Sequence, residues 1–125
     1  KGLVTSRVGQ GFYRQQIVEK WDGRCPVSNS NIKQILISSH IVPWSESNDI
    51  ERLDSENGIL FSPNIDSLFD KHLISFEDNG SIIISSKIDE VNRKSLGLNS
   101  QIKIPVSEGM KKYLKRHRER FNEKN

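Results

Sequence analysis

Four residues between positions 40 and 70 carry side chains suited to chemistry: His40 in SSHIVPW, Asn57 in ENGIL, and Asp66 and Asp70 in NIDSLFD. An imidazole titrates near neutrality and can change its charge at physiological pH. A spacing of four puts the two carboxylates on one helical face, where like charges cost roughly 0.2–0.5 kcal/mol unless something neutralises them. A divalent cation would do so. Each residue also has an ordinary reading. His40 alone fits a hydrogen-bonded core histidine and Asn57-Gly58 a turn pair. Asp66 fits a carboxylate at the positive end of a helix dipole, and Asp70 a solvated charge.

The elements that must position these residues can be read from hydrophobic periodicity and breakers. Phe12, Ile17, Val18 and Trp21 fall at helical spacing within residues 8–21, and Asp22-Gly23 stops that helix. Residues 35–42, ILISSHIV, are rich in β-branched side chains and end at Pro43, which predicts a strand running into a turn. The polar stretch SESNDIERLDSEN predicts a long loop, of the kind that is usually functional inside a compact domain. GILFS predicts a second strand, and Ser62-Pro63 a helix start with a hydroxyl N-cap and proline in the first turn. Ile65, Leu68 and Phe69 make the apolar stripe of that helix, so Asp66 and Asp70 border the core edge. LISFED-NG-SIIIS predicts a hairpin with Asn79-Gly80 in a type I′ turn. A helix over 88–97, a short strand IKI and a basic helix over 107–122, apolar at Met110, Tyr113, Leu114, His117 and Phe121, complete the chain.

With 125 residues the chain is the size of one domain, 1–125, with its motif core at about 35–71. Hydrophobic residues make up 34% and charged residues 28%, enough apolar material in periodic runs for a folded protein. One cysteine, Cys25, excludes an internal disulfide and a four-cysteine zinc site, and reads as a small buried hydrophobe. No apolar run reaches the length of a membrane span and the first residues lack signal-peptide character, so a soluble, cytoplasmic protein is expected. The start at Lys1, without methionine, leaves room for a longer parent chain with an upstream recognition domain. The net charge of +3 is uneven: residues 109–125 carry seven Lys/Arg against two Glu, whereas residues 1–108 carry twelve against fourteen acids.

Taken together, SSHIVPW, ERLDSENGILFSPNIDSLFD and LISFEDNG, with the lead-in GQGFYRQQIVEKWDGRCPVS, resemble the HNH nuclease family, in particular its restriction-endonuclease-related branch. The resemblance covers about residues 7–86 and rests on an ordered series of motifs. It implies an α+β fold, a ββα-metal (HNH or His-Me) finger with a β-hairpin and flanking N- and C-terminal helices. It also implies metal-dependent hydrolysis of nucleic acid phosphodiester bonds, as in the cleavage module of a bacterial restriction or defence protein. His40 matches the general base, and Asn57 the asparagine that orients the base or helps hold the metal. Asp66 falls where the last histidine is often found, and Asp70 where some members place a further ligand. Ser39 stands where many members have a metal-binding Asp or His. The implied ligands are therefore Ser39, Asn57, Asp66 and Asp70, an oxygen-rich set that favours Mg²⁺ or Mn²⁺ over Zn²⁺. An imidazole that is largely neutral at pH 7 can take a proton from water, and a cation offsets charge gained by the phosphate. His40 and the two carboxylates are expected to face each other across one pocket.

The implied partner is double-stranded DNA, and a homodimer would place two active centres on it. Arg52 is a candidate phosphate clamp or, equally, a salt-bridged loop residue. Arg7 and Arg14 on the first helix, and Lys111, Lys115 and Arg118 in KKYLKRHRERF, are candidate backbone contacts, whose binding would be salt-sensitive and independent of sequence. The tail equally fits a docked amphipathic helix with a solvated basic face. Trp44 reads as packing over the finger and His72 as a surface residue. The rival reading is a nucleic-acid-binding module that keeps the finger but not its catalysis.

Overall fold

A computed structural model of the chain describes residues 7–125. Helix α1 spans Arg7–Lys20, followed by strand β1 (Ile37–His40), a 3-10 turn at Trp44–Glu46, helix α2 (Asp49–Leu53), strand β2 (Gly58–Phe61) and helix α3 (Pro63–Asp70). Strands β3 (Ile74–Phe76) and β4 (Ile82–Ile84), helix α4 (Glu90–Ser95), a 3-10 turn at Glu108–Met110 and helix α5 (Lys111–Lys124) follow. The architecture is α+β, with two antiparallel two-stranded sheets and the ββα order of an HNH core at β1, β2 and α3. No helix among the described residues is long and apolar enough to cross a membrane.

The β1–β2 register decides which side chains can meet. Ile37 pairs with Phe61, Ser38 with Leu60, Ser39 with Ile59 and His40 with Gly58. Side chains alternate along a strand and cross-strand partners share a face. Ser39, Ile59, Ile37 and Phe61 therefore look one way and Ser38, Leu60, His40 and Gly58 the other. Helix α3 covers the first face, where Phe69 meets Phe61 edge-on at 5.2 Å. Helix α1 covers the second: the Trp21 indole donates to the Gly58 carbonyl at 3.1 Å and the Tyr13 hydroxyl to the Asn57 carbonyl at 2.7 Å. Gly58 is required here, because a Cβ at that position would fall inside the Tyr13 hydroxyl and the tip of Ile17.

Three expectations change in detail. The core face of α1 is Tyr13, Ile17 and Trp21 at strict four-residue spacing, whereas Phe12 is 59% exposed. The stretch 45–57 is not an irregular loop: Asn48 and Glu51 form a reciprocal capping box that nucleates α2. The β3–β4 connection is not a type I′ turn, which needs positive φ at both central residues. It turns at Glu77–Gly80, with the Gly80 N–H donating to the Glu77 carbonyl at 2.9 Å. Gly80 takes φ +91°, and the Ile104 carbonyl lies where its Cβ would be. Residues 102–104 run beside β4 as a bridge at Lys103, and α5 packs against β3 through Tyr113, Leu114, His117 and Phe121.

Candidate active site

His40 ends β1 on the α1 face. Its ring stacks on Tyr13 with centroids 4.3 Å apart and planes 5° from parallel, and meets Trp44 edge-on at 5.7 Å. Its Nε2 lies 2.8 Å from the main-chain oxygen of Arg52. A carbonyl only accepts, so Nε2 carries the hydrogen and the lone pair of the neutral ring sits on Nδ1. Nδ1 has no hydrogen-bond partner among the described residues and is not sealed from solvent. Burial holds the His40 pKa below the ordinary imidazole value; the Arg52 carbonyl pulls it up and the Arg52 charge pushes it down again. A neutral ring, oriented by a carbonyl and open at its basic nitrogen, is a competent proton acceptor.

Asn57 completes this arrangement from below. It is fully buried, its Oδ1 accepts from the Val42 N–H at 2.9 Å, and its Nδ2 donates to the Glu51 carbonyl at 3.0 Å and to Ser47 Oγ at 3.3 Å. One side chain thus ties Val42 to Glu51, the residue just before the Arg52 carbonyl. Its amide is occupied by backbone and hydroxyl groups.

The carboxylates lie elsewhere. Asp66, on α3, accepts a hydrogen bond from Ser39 Oγ on the opposite face of the sheet from His40. Asp70 is exposed on the last turn of α3. A cavity of about 350 Å³ beside His40 is lined by Gln10, Tyr13, Arg14, Ser38, Trp44, Arg52 and Leu53, with no carboxylate among them. A larger, shallow concavity of about 530 Å³ beside α4 contains none of the motif residues. The expected convergence of His40 with Asp66 and Asp70 on one pocket is therefore not found: adjacent strand residues, Ser39 and His40, point to opposite faces. Of Ser39, Asn57, Asp66 and Asp70, only Ser39 and Asp66 come together. No group of three His, Cys, Asp or Glu side chains suited to a metal occurs among the described residues. Two satisfied oxygen donors do not make the expected ligand set, although HNH nucleases generally use a divalent metal.

The basic residues are mostly committed. Arg52 donates through Nε to the Trp44 carbonyl at 3.0 Å, lies 4.5 Å above the Trp44 ring and is 3.8 Å from Asp49, leaving part of its fork toward the cavity. Arg14 donates to the carbonyls of Leu36 and Lys33 and to Ser38 Oγ, pinning the approach to β1. Arg118 is held by the Phe76 carbonyl and by Asp78, each at 3.0 Å, and Lys111 by Glu108 at 3.1 Å. Lys115 is exposed. The Arg7 side chain lies outside the described residues. Trp44 packs over the finger as expected, while His72 is a correction: it is 3% exposed, stacked on His117 at 4.4 Å, with φ at +57°. Cys25 is buried, as its single occurrence suggested. Sequence reasoning missed Tyr13 and Glu51. The four-residue interval to Ile17 and Trp21 marked the first, and the N-x-x-E pattern from Asn48 marked the second.

The model for the HNH endonuclease family matches residues 25–77, a segment that holds β1, α2, β2, α3 and β3 with His40, Asn57, Asp66 and Asp70. No match is found among curated proteins. The ordered motifs, the ββα order and this match agree that residues 25–77, a little under half of the chain, are similar to the HNH endonuclease family.

Proposed function

We propose that this protein hydrolyses phosphodiester bonds in double-stranded DNA, with His40 as the general base. The observation that carries the reading is the 2.8 Å contact between His40 Nε2 and the Arg52 carbonyl, which leaves Nδ1 as the proton acceptor. In this mechanism Nδ1 takes a proton from water as the water oxygen attacks phosphorus and the bond to the leaving oxygen breaks. Tyr13 and Trp44 hold the ring plane against rotation. The free part of the Arg52 fork binds a phosphate oxygen and attracts the charge that grows on it. The similarity of residues 25–77 to the HNH endonuclease family supports a nucleic acid substrate. The role we infer, cleavage within a bacterial restriction or defence protein, rests on the resemblance of SSHIVPW and its companions to the restriction-related branch.

Cleavage of supercoiled plasmid by the purified protein tests this, assayed with Mg²⁺, with Mn²⁺ and with EDTA. Activity that needs the cation and falls by about 10²–10⁴-fold in His40→Ala is the expected result. Full activity in that folded variant rejects His40 as the base.

The position of Asp66, paired to Ser39 on the far face, favours a second reading: a module that binds duplex without cutting it. Such a module would bind duplex equally with and without Mg²⁺ and yield no cleaved product.

A further inference from the structure

We infer that Arg116 of α5, acting with Glu51, is a positioning residue for the His40 ring, an assignment that rests on the reading of His40 as base. The ring is held by the Arg52 carbonyl, and Arg52 lies in α2, a helix of five residues with no buried side chain. So short a helix does not hold itself in water. Its restraints converge on Glu51. The Glu51 carboxylate accepts from the Asn48 N–H at 2.9 Å through Oε1 and from Arg116 Nη1 at 2.7 Å through Oε2, while its carbonyl accepts from Asn57. Arg116 Nη2 reaches back to the Glu46 carbonyl at 2.9 Å, so one guanidinium clamps both the 3-10 turn and α2. Arg120 adds a contact to the Glu46 carboxylate at 3.2 Å.

The helix behind the clamp is firm. Tyr113, Leu114, His117 and Phe121 are buried against the β3–β4 sheet and its surroundings, and the Tyr113 hydroxyl donates to Asp54 at 2.6 Å just past α2. A side chain 65 positions downstream of Glu51 thus sets where the Arg52 carbonyl stands, and through it the orientation and tautomer of His40. The basic tail, on this account, serves the catalytic base from behind.

Ring-nitrogen NMR of His40 at a fixed pH above 7 tests the assignment in the full chain. Wild type should show one pyrrole-like and one pyridine-like nitrogen, the signature of a locked tautomer. In Arg116→Gln and in Glu51→Gln, which keeps an oxygen for the Asn48 N–H, the two His40 shifts should converge toward an average. Those of His117, held by the Phe69 carbonyl and Ser75, should stay apart. DNA cleavage should fall by about 10- to 100-fold, with Arg116→Lys intermediate. Unchanged His40 nitrogens in both variants would overturn the inference. A His40→Ala protein that still cuts would instead reject the base reading and leave the ring-nitrogen result standing.

Discussion

At the scale of single residues, the lone pair of His40 is where geometry and charge agree. Burial disfavours the imidazolium, so the ring stays neutral to a lower pH than an ordinary imidazole. The acid limb of kcat/KM for DNA cleavage should therefore lie below about pH 6.5, the unperturbed imidazole value. A limb at or above that value in a pH–rate profile would contradict the environment described here. Asn57 is the other decisive residue. Replacing it with Ala strands the buried Val42 N–H, at a cost of about 1–3 kcal/mol, and leaves the Glu51 carbonyl with the Asp54 N–H alone. Urea unfolding of Asn57→Ala should show a loss of about 1–3 kcal/mol, and a loss below about 0.5 kcal/mol would mean that the 42–51 segment holds itself.

At the scale of elements, the contact between α1 and the β1–β2 sheet is the joint on which the site depends. Tyr13 supplies the flat surface under His40 and also bonds the Asn57 carbonyl, so any change that lifts α1 disturbs both. Gly58→Ala tests this joint, because the new methyl group collides with Tyr13 and Ile17. Overpacking of this kind costs about 1–3 kcal/mol. Thermal unfolding should show that loss, and the His40 ring signals should shift with it; a Tm within a degree of wild type would show that α1 yields without cost. Helix α2 shows the reverse logic. It buries no side chain and forms where it does because Asn48 and Glu51 cap each other and Arg116 anchors the pair.

At the scale of the whole molecule, α5 ties the second sheet to the finger, and its buried His117 makes that tie sensitive to acid. Burial pushes the His117 pKa down to about 3, with the Phe69 carbonyl opposing and the neighbouring His72, Lys124 and Arg118 adding to the depression. The unfolded chain binds this proton near pH 6.5 and the folded chain does not. The stabilisation from keeping the ring neutral is therefore complete above about pH 6.5 and is lost progressively as pH falls toward about 3. His72 is shifted in the same direction, again by burial first. Urea midpoints should drop between pH 7 and pH 4, and the drop should be shallower in His117→Gln than in wild type. Parallel profiles for the two proteins would remove His117 as the cause. The tail also carries a lesson about charge: Arg116, Arg118 and Arg120 are paired with groups of their own chain, so its +5 excess overstates what remains for a polyanion.

Local pattern determined the elements: the β-branched run into Pro43, the Ser62-Pro63 helix start, the Asn79-Gly80 turn region and the apolar stripe of α5 all stand where periodicity and breakers put them. The ordered motifs also disclosed the resemblance to HNH endonucleases, which the family model matches over residues 25–77, and singled out His40 as a candidate base. Which side chains share a pocket was not legible, because that depends on strand register, and a step of one residue sends a side chain to the other face of a sheet. Ser39 and His40 are neighbours in the chain but meet Asp66 and Tyr13 on opposite faces. Only the tertiary structure decided that separation, and only it joined Glu51 to Arg116, since a contact between residues so distant in sequence leaves no mark in local spacing.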